Sequence, residues 1–286
     1  MKTDSFFSFV VILITSKNHY VLLHCNMQVK YITTSQFVKI TSYRHTLIIF
    51  QVNTPAAESL YSRVIAGFGD QKFQAEDTCV LDVCCGTGTI GICALKPSSA
   101  DSKTPMLLGI ELCAAAVDNA NKNASINGIE SFENYKNGKK GPYAEFVCAK
   151  AENVLAALLK DDDKCKYNDF LKGKGDTEIN EQIEKCREVL KGKRLLAIVD
   201  PPREGMHSSC LTAIRNCSRI ERLVYVACNP TKSLVRDAVP LCGPVSKKYT
   251  GSSFKPVTAT PVDLFPMTPH CEMVMIFERF TEEIEE

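Results

Sequence analysis

This 286-residue chain contains no tryptophan and has a formal net charge of only +1. A charge so close to zero creates no strong overall field that would recruit nucleic acid, so any RNA binding must come from local basic patches. The 14 cysteines include no C-x-x-C pair and no Cys/His cluster with zinc spacing. This pattern argues against a zinc site and an iron–sulfur cluster. We therefore expect no metal, and a reduced intracellular protein of the cytoplasm and/or nucleus.

Long hydrophobic runs are also missing. The apolar stretch at residues 5–15 is too short to span a bilayer, so we expect no membrane partner. A signal peptide is an alternative interpretation of this stretch, although no small-residue cleavage site clearly follows it. Residues 30–50 alternate weakly and are compatible with one or two strands. We treat residues 1–50 as an undetermined lead-in.

After residue 50, segments that predict strands alternate with segments that predict helices. The predicted strands are residues 79–84, 106–111, 144–148, 195–200, 222–227 and 273–280. The predicted helices are residues 54–67, 88–95, 114–127, 154–160, 209–217 and 231–241. Thr54 and Thr231 are the expected N-caps of the first and last of these helices. Repeated βα units of this kind predict an α/β fold with a doubly wound, mostly parallel sheet.

One segment, at about residues 161–193, interrupts this alternation. It is highly charged, and residues 179–190 within it predict a short exposed helix. We interpret the segment as a surface insertion between two core elements.

A glycine-rich turn follows the first predicted strand. Gly86, Gly88 and Gly91 satisfy the spacing G-x-G-x-x-G, in which glycines permit a tight turn and let a ligand approach the backbone. Glu111 ends the next predicted strand, where a carboxylate can accept both hydroxyls of a ribose. A plain turn with a solvated glutamate is the alternative, but the spacing and the strand context favour a nucleoside cofactor.

Nicotinamide dinucleotides and S-adenosylmethionine are both candidates for that cofactor. Asp82 lies four residues before the first glycine, and this D-x-x-x-G-x-G form resembles the first motif of Rossmann-like methyltransferases. A second motif, D-P-P-R at residues 200–203, ends another predicted strand. It resembles the N-P-P-Y-type motif of nucleic-acid base methyltransferases, although its two prolines are also compatible with a plain rigid turn.

Two reactive side chains lie at the ends of other predicted strands. Pro230 cannot continue the strand at residues 222–227, which leaves Cys228 at the carboxyl end, where open α/β sheets bind ligands. Glu272 lies where the last strand begins, beside aromatic and proline residues. A partly dry carboxyl group can act as a general base. A buried structural cysteine and a surface glutamate are the alternative interpretations.

Six motifs, in this order, together resemble the RNA 5-methyluridine methyltransferase family. They are F-Q-V-N at residues 50–53, the glycine turn, Glu111, D-P-P-R, Y-V-A-C-N-P at residues 225–230, and D-L-F-P-M-T-P-H-C-E at residues 263–272. The resemblance implies that residues 51–286 form a Rossmann-like class I S-adenosylmethionine-dependent methyltransferase domain. It also implies a truncated or divergent N-terminus, because the family's upstream RNA-binding modules have no legible counterpart before Gln51.

The resemblance further implies a role for each matching position. Cys228 matches the nucleophile and Glu272 the proton acceptor in methylation of uracil carbon 5, with the T-loop uridine of tRNA as the target. Cofactor contacts are implied for Gln51, Cys84, Gly86, Gly88, Thr89, Glu111 and Asp200. Arg203 and His270 are further candidates for substrate contacts. We expect a monomer with tRNA as its partner; a methyltransferase of another substrate and an inactive RNA-binding remnant are the alternatives.

Overall fold

The computed structural model describes the backbone of residues 7–16 and 19–27, and describes residues 53–68, 77–95, 105–138, 141–160 and 177–280 in full. Strands β1 (Phe7–Ser16) and β2 (His19–Met27) pair antiparallel in a two-stranded sheet. The strands predicted within residues 30–50 lie outside the described residues, as does Gln51.

The main sheet has seven strands in the order β5-β4-β3-β6-β7-β9-β8. The strands are β3 (Thr78–Val83), β4 (Met106–Glu111), β5 (Ala144–Cys148), β6 (Arg194–Val199), β7 (Ile220–Ala227), β8 (Phe254–Val262) and β9 (Glu272–Arg279). The strands from β5 to β7 are parallel, whereas β9 runs antiparallel to β7 and β8 antiparallel to β9. The predicted doubly wound, mostly parallel sheet is therefore confirmed.

Eight helices of the described residues accompany this sheet. They are α1 (Thr54–Ala66), α2 (Thr89–Ala94), α3 (Ala114–Ile126), α4 (Phe132–Lys136), α5 (Ala151–Leu159), α6 (Thr177–Leu190), α7 (Ser208–Asn216) and α8 (Val235–Cys242). Successive strand residues pack on opposite faces of a sheet, and here they belong to two apolar cores. One core contains buried residues of α1, α2 and α3, and the other contains buried residues of α4 to α8. Helices thus cover both faces, as the doubly wound fold requires.

Strand β8 was not predicted from the sequence. It contains Pro256 and Pro261, which argue against a strand because proline cannot donate to a β-ladder. Edge strands tolerate proline, and β8 is one of the two edge strands of this sheet. Because β9 runs antiparallel to β7, the start of β9 lies beside the end of β7.

The helix predicted inside the charged insertion is not an exposed helix. In α6, Ile183, Cys186 and Leu190 are all buried in one of the two cores. Their three- and four-residue spacing puts them on one face of the helix. The prediction was wrong because the abundant charged residues lie on the opposite face and obscure this apolar stripe. Residues 161–176 of the insertion lie outside the described residues.

The first helix is capped one residue earlier than predicted. Its N-cap is Asn53, not Thr54, because the Asn53 side-chain oxygen accepts a hydrogen bond from the Ala56 N–H at 3.3 Å. The Asn53 amide also donates to the carbonyl of Leu264 at 3.2 Å. The last residue of the F-Q-V-N motif thereby connects α1 to the loop that leads into Glu272.

Candidate functional site at the carboxyl edge of the sheet

The chain reverses its direction of travel across the sheet between β3 and β6. Strands β3, β4 and β5 succeed one another toward one edge, and β6 and β7 toward the other. Ligands of open α/β sheets bind at the carboxyl ends of the strands at such a reversal. Val83, the last residue of β3, pairs with the residues that precede Glu111 and Asp200. Cys84 therefore lies between these two acidic residues.

The turn after β3 has an unusual backbone at three positions. Cys84, Gly86 and Gly88 have left-handed φ values of 63°, 55° and 73°. A Cβ on Gly88 would lie 2.8 Å from the ring of Phe146, so packing on one side requires glycine there. A Cβ on Gly86, in contrast, would meet no atom within 4 Å. The backbone at Gly86 consequently faces open space, as a ligand-binding turn needs.

The carboxylate of Glu111 is fixed by two backbone groups at this edge. Its Oε2 accepts a hydrogen bond from the Gly86 N–H at 3.0 Å, and its Oε1 accepts one from the Cys113 N–H at 2.9 Å. Each carboxylate oxygen can accept a further hydrogen bond. Glu111 is thus held in one orientation and keeps acceptor capacity for two hydroxyl groups.

Asp82 lies buried beneath the glycine turn. Its Oδ2 accepts a hydrogen bond from the Gly91 N–H at 3.0 Å, and a Cβ on Gly91 would come within 2.8 Å of that oxygen. Burial raises the pKa of Asp82 to about 7. Its Oδ1 is buried and has no hydrogen-bond partner in the described part of the chain. A buried acceptor without a partner is costly, which makes Asp82 a further polar group at the candidate cofactor site.

Cys228 and Glu272 are neighbours across two antiparallel strands. Ala227, the last residue of β7, pairs with Met273 of β9. Continued by one residue, that register places Cys228 opposite Glu272, although 43 residues separate them in the chain. The effect of the Glu272 carboxyl group on the pKa of the Cys228 thiol agrees with this proximity. Glu272 is buried, with 7% of its surface exposed, and Cys228 is half-buried. The structure therefore brings together the two residues that sequence analysis singled out for the chemistry.

The charges around Cys228 determine how readily its thiol ionises. Burial raises the pKa of the Cys228 thiol, and the nearby carboxyl groups of Glu272 and Asp200 raise it further. The guanidinium of Arg203 acts in the opposite direction. Arg203 is exposed and follows β6 in the D-P-P-R turn. It is the cation that favours the thiolate at this position.

The two carboxyl groups near Cys228 are both destabilised in their charged forms. Burial raises the pKa of Asp200 to about 8, with a further contribution from Glu272. Burial also raises the pKa of Glu272, and Arg203 opposes that increase. A carboxyl group whose pKa is raised can exchange a proton efficiently near neutral pH.

A single π-helical turn, Pro230–Leu234, follows Cys228 and leads directly into α8. Its N-cap position is Asn229, so the predicted cap at Thr231 was wrong. The Asn229 carbonyl accepts a hydrogen bond from the Ser233 hydroxyl at 3.1 Å. Isolated π turns are frequent at functional sites.

Three predicted site residues remain to be placed: Thr89, His270 and Gln51. The Thr89 hydroxyl lies 2.9 Å from that of Thr87, within the glycine turn. His270 is exposed on the loop before Glu272, where its backbone N–H donates to the Thr268 hydroxyl at 3.3 Å. Gln51 lies outside the described residues.

A search of the described residues for a metal centre and for a membrane-spanning helix found neither. Nowhere in this part of the chain do three or more His, Cys, Asp or Glu side chains form a group that could hold a metal ion. None of its helices combines the length and apolarity needed to cross a bilayer.

The fold identifies the structural class to which this chain belongs. The doubly wound sheet, with its glycine turn and acidic residues at the reversal point, is the Rossmann-like fold of class I S-adenosylmethionine-dependent methyltransferases. A solved structure, that of Pyrococcus abyssi tRNA (uracil-54, C5)-methyltransferase in complex with S-adenosyl-L-homocysteine, shares this fold with a TM-score of 0.50 and 22% identity. The match covers 82% of this chain and 41% of that one.

Proteins of similar sequence give a more specific assignment than the fold class. The chain is 38% identical over 235 residues to tRNA (uracil-5-)-methyltransferase homolog A of Mus musculus, covering 82% of this chain and 30% of that protein. It is also 38% identical over 236 residues to tRNA (uracil-5-)-methyltransferase homolog B of Danio rerio, covering 80% of this chain and 38% of that protein. None of the protein-family models that were searched matches the chain.

These relatives confirm the resemblance found in the sequence. The chain is homologous over about four-fifths of its length to the tRNA (uracil-5-)-methyltransferase homologs A and B. It spans about a third of the length of these curated relatives.

Proposed function

We propose that this chain methylates carbon 5 of a uridine in tRNA, with the T-loop uridine as the target and S-adenosylmethionine as the methyl donor. The observation that carries the proposal is the register of β7 and β9, which makes Cys228 and Glu272 neighbours. They lie at the same edge of the sheet as the glycine turn and Glu111. A thiol beside a dry carboxyl group, next to a nucleoside site, suits this reaction specifically. The names of the sequence relatives support the same activity.

The donor groups at the edge of the sheet fit S-adenosylmethionine. Glu111 keeps one acceptor position on each oxygen for the two ribose hydroxyls. The open backbone at Gly86 leaves room for the cofactor, and Asp82 and Asp200 provide further acceptors for its amino groups. When bound there, S-adenosylmethionine supplies the methyl group in electrophilic form.

Carbon 5 of uracil is a poor nucleophile, so the enzyme must activate it before it can accept a methyl group. In the proposed reaction the Cys228 thiolate forms a bond to carbon 6, and the electron pair of the C5–C6 double bond makes carbon 5 nucleophilic. Cysteine suits this step because a thiolate is a soft nucleophile that can form near neutral pH. Burial and the carboxyl groups of Glu272 and Asp200 raise the pKa of the Cys228 thiol, and Arg203 opposes that rise and so favours the thiolate form.

Glu272 completes the reaction. Once carbon 5 bears the methyl group, Glu272 removes the remaining proton from that carbon. The C5–C6 double bond then re-forms, and the C6–S bond breaks to release the Cys228 thiolate. The buried position of Glu272 makes its carboxylate more basic, which favours proton removal.

The uridine must leave its stack to reach this site. Half-buried Cys228 lies at the strand end, and a base held within a duplex or a stacked loop cannot bring carbon 6 to it. The exposed Arg203 and His270 are the proposed contacts to the nucleotide. His270 lies two residues before Glu272 in the chain, and the charge of Arg203 acts on the Cys228 thiol.

The decisive test is mass spectrometry of nucleosides from unmodified tRNA after incubation with the full chain and S-adenosylmethionine. We expect 5-methyluridine, located in the T-loop by nuclease mapping. Methylation of a different nucleoside would show that the substrate assignment is wrong. Binding of tRNA without any methylated product would instead identify the chain as an RNA-binding remnant.

Loss of the proposed ribose contact should weaken cofactor binding. We expect Glu111→Ala to reduce the affinity for S-adenosylmethionine by about 2 kcal/mol, or about 30-fold, because a charged hydrogen-bond partner is removed. Isothermal calorimetry measures this directly, with Cys228→Ser as the control that should bind as the unchanged chain does. Equal affinity for Glu111→Ala and the unchanged chain would contradict the ribose assignment.

The domain boundaries stay predictions. We propose that residues 51–286 form the catalytic domain, which agrees with a continuous sheet from β3 to β9. The monomeric state and the cytoplasmic and/or nuclear location also stay predictions from the sequence.

A further inference from the structure

A buried carboxylate outside the site connects one of its loops to the strand that carries Cys228. Asp237, in the first turn of α8, is completely buried. Its Oδ2 accepts hydrogen bonds from the Met206 N–H at 2.7 Å and from the Tyr225 hydroxyl at 2.7 Å. Met206 belongs to the loop that begins with D-P-P-R, and Tyr225 lies on β7 three residues before Cys228. One side chain thus joins the Arg203 loop to the Cys228 strand.

Arg236 adds a second set of contacts between Asp237 and the same loop. The Arg236 guanidinium donates to Asp237 Oδ1 at 2.8 Å from Nε and at 2.6 Å from Nη2, and to the carbonyl of Met206 at 3.2 Å. Gly205 has a left-handed φ of 78°, and a Cβ there would lie 2.6 Å from Asp237 Oδ2 and 2.4 Å from Arg236 Nη2. The loop therefore passes so close to the carboxylate that only glycine fits.

The loop between its two fixed ends is short. It leaves β6 at Asp200, turns with a hydrogen bond from the Gly205 N–H to the Pro202 carbonyl at 2.7 Å, and reaches Met206. Arg203 lies at the centre of this turn and is exposed. Because the Arg203 side chain is exposed, core packing does not fix it, and its position depends on the ends of the loop.

We propose that Asp237 is a positioning residue that holds the Arg203 loop against the Cys228 strand, so that Arg203 faces the Cys228 thiol and the Glu272 carboxyl group. Asp237 touches neither substrate nor cofactor in this proposal. Its relevance to methylation rests on the proposed function, but the positioning itself is a property of the chain alone.

The direction in which Asp237→Asn shifts the titration of Cys228 distinguishes a positioning role from a purely electrostatic one. Asp237→Asn removes a negative charge and takes from Arg236 the carboxylate of its ion pair. That change alone would stabilise the Cys228 thiolate and shift its titration to lower pH. If Asp237 instead holds Arg203 in place, its loss allows Arg203 to move away, and the titration shifts to higher pH. The other charged groups that act on the thiol, Asp200 and Glu272, are unchanged in both cases.

The test is the pH profile of Cys228 alkylation by iodoacetamide, followed on the Cys228 peptide by mass spectrometry. It uses the full chain without RNA or cofactor. We expect Asp237→Asn and Arg203→Gln each to shift the profile to higher pH, and the double variant to shift no further than Arg203→Gln alone. Val154→Ala, a buried change in α5, is the control for general destabilisation and should leave the profile unchanged.

Three results would overturn the proposal: an unchanged or lower midpoint for Asp237→Asn, an unchanged midpoint for Arg203→Gln, or additive shifts in the double variant. Gly205→Ala displaces the same loop without removing a charge and should also shift the profile to higher pH, so it decides the matter if Asp237→Asn does not fold. A failure to find 5-methyluridine in the tRNA assay would disprove the proposed function but leave this result unaffected.

Discussion

Replacing Cys228 with alanine is expected to abolish uridine methylation, by on the order of 10⁴-fold or more, as for the loss of a catalytic nucleophile. The reason is that carbon 5 stays a poor nucleophile when no thiolate adds to carbon 6. Cofactor affinity should not change, because Glu111 ends β4 and the glycine turn follows β3, and β6 separates both strands from β7 in the sheet. Release of labelled methyl-tRNA over time measures the loss, and calorimetry measures the cofactor affinity.

Cys242→Ala is the matched control for this substitution. Cys242 is also a partly buried cysteine, but it ends α8 away from the edge of the sheet. It should keep methylation at nearly the rate of the unchanged chain. If Cys228→Ala also retained that rate, the covalent mechanism would be wrong, and methyl transfer would have to proceed without a nucleophile from this strand.

Glu272→Gln is expected to trap the enzyme on its RNA. Glutamine has the size of glutamate but cannot take the proton from carbon 5, so Cys228 still attacks and the methyl group is still added. The C6–S bond then cannot break at an appreciable rate. On a denaturing gel we expect a slowly migrating, RNase-sensitive band that requires S-adenosylmethionine.

Two comparisons make the trapping experiment specific. The double variant Cys228→Ala with Glu272→Gln should show no such band, because it lacks the attacking thiol. A purely structural role for Glu272 predicts lower thermal stability and no adduct. Release of methylated tRNA by Glu272→Gln at the unchanged rate would refute the assignment of Glu272 as the base.

Much of the sheet could be predicted from local sequence because its strands are short apolar runs between turn residues. The prediction failed where composition and structure disagree. Strand β8 contains two prolines that only an edge position tolerates. Helix α6 has a mean composition typical of an exposed helix, although Ile183 and Cys186 are buried. In both cases the position of the element in the tertiary structure, rather than its own propensity, decided the outcome.

The residues of the candidate site also divide into those that local sequence predicts and those that only the tertiary structure reveals. Spacing alone marked the glycine turn and Glu111, since a strand, a turn and the next strand lie close together in the chain. Asp237 carried no such signal: it is one acidic residue in a helix, and its partners Met206 and Tyr225 lie 31 and 12 residues away. Only the packed structure shows that it connects the Arg203 loop to β7.

The sequence by itself determined the order of the βα units, the glycine turn and the placement of Cys228 at a strand end, because each follows from residues within a few positions of one another. The tertiary structure decided that Glu272 is the neighbour of Cys228. That proximity depends on β9 returning antiparallel to β7 in one particular register. A shift of one residue in such a register would turn every side chain of β9 to the opposite face. The hydrogen bonds and the apolar cores on both faces that select this register involve the whole domain, and no local stretch of sequence contains them.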